Sequence, residues 1–151
     1  MKRILFLLLI IISISSCKKD ADHTTTETLS GKWATGGYDL ELYNSSGVKV
    51  SHIVADAIKT YWTYDTKQVK ISTDLNTQVI VSEYSLRRNM NNRVLSFSNP
   101  DVAAKQADWS IEEQTDKYMR ITARITDKQS LVYGDNKTAA WGIMSISFSK
   151  E

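Results

Sequence analysis

Cys17 is the only cysteine in this chain of 151 residues, and its thiol is the strongest nucleophile the sequence offers. A nucleophile of that kind becomes catalytic only beside a base, and a zinc site needs three or four His, Cys or carboxylate ligands. The two histidines are His23, in a polar stretch near the N-terminus, and His52, alone in the remainder of the chain. Neither a His pair nor a His-clustered metal site can be built from them. No Gly-rich phosphate loop and no Gly-x-Ser-x-Gly elbow occurs in the sequence. Glu112-Glu113 is an acidic pair, but neighbours on a strand point to opposite faces, which predicts no shared acid–base work. The residues thus predict a protein that is not an enzyme and uses no metal and no cofactor.

The surroundings of Cys17 suit another chemistry, thioether formation with a membrane lipid. Met1-Lys2-Arg3 is a basic start, Ile4 to Ile12 is an unbroken apolar run, and Ser15 and Ser16 are the small residues a cleavage site needs. Nine apolar residues are too few to cross a bilayer, which takes about 20. Ile14-Ser15-Ser16-Cys17 resembles a bacterial lipobox, which implies that residues 1–16 are a lipoprotein signal peptide and that Cys17 becomes acylated. Since each buried methylene is worth about 0.8 kcal/mol, two acyl chains hold a protein on the membrane. Lys18 and Lys19 stand where an inner-membrane retention signal usually places Asp. The resemblance therefore implies an outer-membrane lipoprotein of the cell envelope, with the periplasmic or surface side left open.

Composition limits the partners. Of the 19 basic residues two are Lys2 and Arg3, which leaves 17 against 17 acidic residues once the signal is removed. A neutral chain without a basic run is poorly suited to neutralising phosphates, so no nucleic-acid partner is expected. With Cys17 acylated no thiol remains for a disulfide, and stability must come from packing.

Residues 17–28 carry the lipidation site and a polar, Thr-rich stretch that reads as a flexible tether. From Leu29 onward, residues 29–151 are rich in Val, Ile, Tyr, Trp, Thr and Ser, a composition that suits pleated strands. Period-two alternation marks strands around Tyr38–Tyr43, Val48–Val54, Ile58–Tyr64, Gln68–Ser72, Val79–Leu86, Val94–Phe97, from Trp109 to near Thr115, Tyr118–Ile125, Leu131–Tyr133 and Ala140–Ser149. Turn residues separate them at Asn44–Gly47, Asp65–Lys67, Asn89–Asn92 and Gly134–Lys137. Around 100–107, Pro100 and Val102-Ala103-Ala104 predict a short helical turn. The fold class is all-β: an antiparallel up-and-down meander whose exposed edges are removed by closing into a small barrel. On this pattern His52 shares the face of Val48, Val50 and Val54, read as barrel interior. Trp62, Tyr64 and Tyr84 join His52 as candidate ligand-binding residues, with core filling as the alternative for the aromatics.

Leu29-Ser30-Gly31-Lys32-Trp33 resembles the Gly-x-Trp opening of the first strand in lipocalins and related calycins. Trp62-Thr63-Tyr64 and Trp109-Ser110-Ile111 extend the likeness to bacterial lipocalin-like outer-membrane lipoproteins over about residues 28–151. The resemblance implies a lipocalin-like β-barrel, with Trp33 as a structural barrel floor and a small apolar or amphipathic ligand in the interior. No basic residue follows the last strand to stack on Trp33. The alternative is a surface interaction module that binds a protein or glycan partner through the barrel loops. Replacing Cys17→Ser should move the protein from membranes to soluble fractions and abolish labelling by a clickable fatty acid. Persistent labelling would mean that the lipid is attached elsewhere.

Overall fold

The computed structural model describes residues 29–73, 79–89, 92–102 and 108–151. Cys17, the signal segment, the tether and residues 103–107 of the predicted helical turn lie outside the described residues. Among the described residues ten strands succeed one another: β1 (Gly31–Tyr43), β2 (Lys49–Tyr64), β3 (Gln68–Thr73), β4 (Ile80–Asn89) and β5 (Asn92–Phe97) in the first half. The second half holds β6 (Asp108–Gln114), β7 (Tyr118–Ile125), β8 (Val132–Tyr133), β9 (Lys137–Thr138) and β10 (Trp141–Lys150). Eight of them close a ring in the order β1-β10-β7-β6-β5-β4-β3-β2, with every neighbouring pair antiparallel. The expected meander barrel is the fold. The remaining pair, β8 and β9, forms a small separate hairpin.

Turn chemistry explains the tight connections. Asn44 accepts the backbone N–H groups of Ser46 and Val48 on Oδ1, at 3.0 and 2.9 Å, while Gly47 adopts φ +77°. Asp65 does the same for Lys67 and Gln68 at 2.8 and 2.7 Å. Both turns are legible in the sequence as Asx-type punctuation. Around Pro100 the described backbone is a turn in which Val102 N–H donates to the Asn99 carbonyl at 3.2 Å.

The alternation read from the sequence changes phase within the two longest strands. In β1, Trp33 is buried, yet so are Leu40 and Leu42, which lie at the opposite parity. A strand can bury both sets only by gaining a residue between them, and the register with β2 slips between Thr35 and Gly37. A Cβ added to Gly37 would lie 2.2 Å from the carbonyl oxygen of Ala55, so only glycine permits this approach. In β2 a second irregularity at Val50, between the pairs Leu42↔Ser51 and Tyr43↔Lys49, sets the phase of the residues after it. Ile53 packs against the core, whereas Val54 is 65% exposed and His52 shares its outer side. The expectation that His52 and Val54 face the interior is thus overturned: the extra residue at Val50 turns them outward.

Among the described residues, large side chains occupy the interior. Trp33 and Trp62 lie opposite each other on β1 and β2. Trp62 meets Phe97 and Phe148 edge-on, with ring centroids 5.7 and 5.1 Å apart. Trp109, Leu95, Met119, Ile121 and Ile125 complete a continuous buried cluster. At one end Leu29 is buried and its carbonyl accepts the Trp33 indole N–H at 3.0 Å. The Gly-x-Trp motif has a local reason: Gly31 sits at φ +122°, and a Cβ there would lie 2.9 Å from Lys150 Cε. That lysine corrects a further expectation. It is the last residue of β10 itself, and its Nζ lies 5.2 Å from the centre of the Trp33 ring.

Because Trp33 is 1% exposed, Trp33→Ala should lower the unfolding free energy by about 3–5 kcal/mol, measured by urea denaturation. A midpoint unchanged within error would mean that the ring contributes nothing to the barrel floor.

Candidate functional site on the outer wall

Strands β2, β1, β10, β7 and β6 are consecutive neighbours, and their outward residues form one wall. Along β7, Arg120, Thr122 and Arg124 alternate with buried Met119, Ile121, Ala123 and Ile125. On β10, Trp141 and Ile143 alternate with Gly142 and Met144, and on β1 Asp39 and Glu41 alternate with Leu40 and Leu42. Strand twist and bulges at the margins curve such a wall. The result is a trough of about 930 Å³, with His52, Asp39 and Glu41 on one side and Asp108, Ser110, Glu112 and Glu113 on the other. Arg120, Arg124, Trp141 and Ile143 run between these margins.

The acidic pair on β6 departs from its expectation. The β6–β7 register slips between Ile111 and Glu113, so Glu112 is an extra residue, and both glutamates line the same trough. Alternation alone places them on opposite faces. Glu112 Oε1 accepts the Thr122 hydroxyl at 2.8 Å, which ties that carboxylate to β7.

Several other groups in the trough are held in place. The Tyr43 hydroxyl donates to Glu41 Oε2 at 2.5 Å, and Lys49 Nζ donates to the other oxygen at 3.1 Å. These bonds, the tyrosine's first, hold the Glu41 carboxyl below its usual value, and the same carboxylate raises the Tyr43 phenol. Asp108 is lowered likewise, chiefly by the Ser96 hydroxyl and then by Arg87, whose Nη2 lies 2.8 Å away. His52 Nε2 stands 3.6 Å from Asp39 Oδ1. At one end the Tyr43 and Trp141 rings stack with centroids 4.1 Å apart and 7° between planes. Arg124 Cζ lies 4.5 Å over Trp141 from the neighbouring strand on the other side. Trp141 is therefore flanked by Tyr43 of β1 and Arg124 of β7, and its edge is the part of the ring that the trough offers a partner.

The four residues singled out as ligand-binding do not meet in one place. His52 lines the outer trough. Trp62 and Tyr64 are buried inside the barrel, at 6% and 2% exposure. Tyr84 meets Tyr64 edge-on at 5.1 Å and donates its hydroxyl to the Asp65 carbonyl at 2.6 Å. Burial pushes the Tyr64 phenol well above its usual value, and its hydroxyl finds no partner among the described residues. Nor does the buried indole N–H of Trp109. Sequence reasoning does not find Arg120, Arg124, Glu112, Glu113 and Trp141 as a group. The outward row of β7 is visible in the alternation, but strand order around the ring decides which residues stand beside it. Among the described residues no group of three or more His, Cys, Asp or Glu side chains is arranged to hold a metal.

Compared with protein-family models, curated proteins and solved structures, the chain matches none.

The Tyr43–Glu41 contact gives a pH-dependent prediction. A hydrogen bond to the ionised carboxyl lowers its pKa, so the stabilisation is present above the unfolded value and is lost as the pH falls through the folded one. Tyr43→Phe should therefore raise the Glu41 pKa toward the ordinary glutamate value in a carbon-detected NMR titration. An unmoved titration curve would assign the lowering to Lys49 and His52.

Proposed function

We propose that this chain is a non-enzymatic envelope lipoprotein, anchored by acyl chains on Cys17, whose barrel binds a polar macromolecular partner on its outer wall. The observation that carries this reading is a division of space. The interior is occupied by Trp33, Trp62, Trp109, Phe97 and Phe148, while the 930 Å³ trough lies outside and is lined by charged and hydroxyl groups together with Ala123, Trp141 and Ile143. A carrier of apolar molecules needs its room within apolar walls. Five carboxylates and two guanidiniums suit instead a partner that presents hydrogen-bonding and charged groups. The occupied flanks of Trp141 favour a protein over a glycan, since sugars stack on open ring faces.

The interior-ligand reading keeps one specific observation in its favour. The Tyr64 hydroxyl and the Trp109 indole N–H are buried without partners among the described residues, which costs about 1–3 kcal/mol each unless something bonds to them. The two readings separate in one experiment. A photo-crosslinking residue placed at Ile143 of the membrane-anchored protein should yield an adduct of defined mass, lost on Arg120→Glu. The same substitution at Lys70, outside the trough, should yield none. A small molecule retained stoichiometrically in native mass spectra, and lost on Tyr64→Phe, would instead favour the carrier.

A further inference from the structure

The β1–β2 hairpin outruns the described part of the strand beside it. β2 extends over Lys49–Tyr64, but β3 pairs only with Thr60–Tyr64. On the side away from β1, no described strand pairs with residues 49–59. Bulged stretches at Val50 and at 57–59 bound a regular segment, Ser51–Asp56, whose inner edge is laddered to β1. The outer edge of that segment is a row of backbone donors and acceptors, the kind of template natural sheets usually bury or blunt. On the outward face of the segment stand His52, Val54 and Asp56, all exposed, with Val54 at 65%.

We infer that this edge pairs with the same edge of a second copy of the chain, antiparallel, with Val54 on the two-fold axis. Side-chain parity limits the registers, because directly opposed residues in an antiparallel pair lie on the same face. Centring on Asp56 sets like carboxylates opposite each other. A centre on His52 opposes the two imidazoles, and one on Ile53 leaves both His52 and Asp56 without a complementary partner. Centring on Val54 does better. It sets His52 opposite Asp56 of the second copy twice, Val54 opposite Val54, and Ile53 opposite Ala55. The interface is isologous and closes at two copies, as a two-fold contact must. It is also short, so it gains from a common surface: copies tethered to one membrane meet at a raised effective concentration. The edge shares His52 with the margin of the trough, so the pairing is read here by the cross-links of the edge itself and not by capture of a trough partner.

Opposed residues in such a ladder have Cα atoms about 4.5–5.5 Å apart, within the span of a disulfide. The full chain carrying Val54→Cys, made in a Gram-negative envelope and mildly oxidised, should give a disulfide-linked homodimer. The unsubstituted chain and Val81→Cys, exposed on β4, set the background. Register is tested by mixing. Chains with His52→Cys should cross-link to chains with Asp56→Cys, while neither variant should cross-link to itself. Asp56→Lys should lose the Val54→Cys dimer, and adding His52→Glu should restore it. Val54→Cys that remains monomeric with an unchanged circular dichroism spectrum overturns the inference. So does a cross-link to a chain of different mass, which would make the edge a site for a foreign strand.

Discussion

Filling a closed eight-stranded barrel with large rings is the constraint on which the rest of this structure depends. Eight strands enclose a space just wide enough for side chains. Here the space receives three tryptophans, two phenylalanines and a layer of aliphatic residues. Each ring must arrive on the inward side of its strand. Trp33 and Leu42 sit at opposite parities of one strand, as do Ile53 and Trp62 of the next, so a regular ladder could not bury them all. The slips at 35–37 and 56–60 reconcile the two sets, and Gly37 lets the backbones approach closely enough to do so. Bulges in β1 and β2 are therefore part of the packing solution, not interruptions of it.

The same constraint separates the features legible in the sequence from those that are not. The all-β class, the succession of strands along the chain and the Asx turns at Asn44 and Asp65 are local properties, carried by residue type and period-two spacing. The position of His52 is not local. It depends on an extra residue at Val50, and nothing in Val48-Lys49-Val50-Ser51-His52 distinguishes a bulged run from a regular one. Glu112-Glu113 escapes the alternation for the same reason, since one added residue puts both carboxylates on one side. The trough itself is illegible because it joins β1 to β6 through β10 and β7, an adjacency created only by closing the ring.

Electrostatics on the outer wall divide by how much of each group's capacity is already used. Glu41, Asp108 and Glu112 accept bonds from Tyr43 and Lys49, from Ser96 and Arg87, and from Thr122. These contacts lie near solvent, where an ion pair is worth little by itself. Their effect is to fix rotamers, so that the carboxylates form a set with a definite shape. Arg124 is fixed in another way, laid across Trp141. A preset wall of this sort spends less ordering entropy on meeting a partner than a wall of free side chains would.

The wall that carries the trough and the outer edge of β2 both lie where β1 and β2 run on past the described part of β3. β1 and β2 have 13 and 16 residues, whereas the described part of β3, Gln68–Thr73, has 6. At the Trp33 end the lengths agree, and Leu29, Trp33 and Lys150 pack over the barrel floor. Toward the other end β1, β10 and β7 continue together, while the described part of β3 reaches only Thr73, opposite Thr60. The segment between β7 and β10 braces that extension, with Leu131 buried against the core and the Ala140 N–H bonded to the Tyr43 carbonyl at 2.8 Å. Extending a wall beyond its neighbour creates outer surface and edge together.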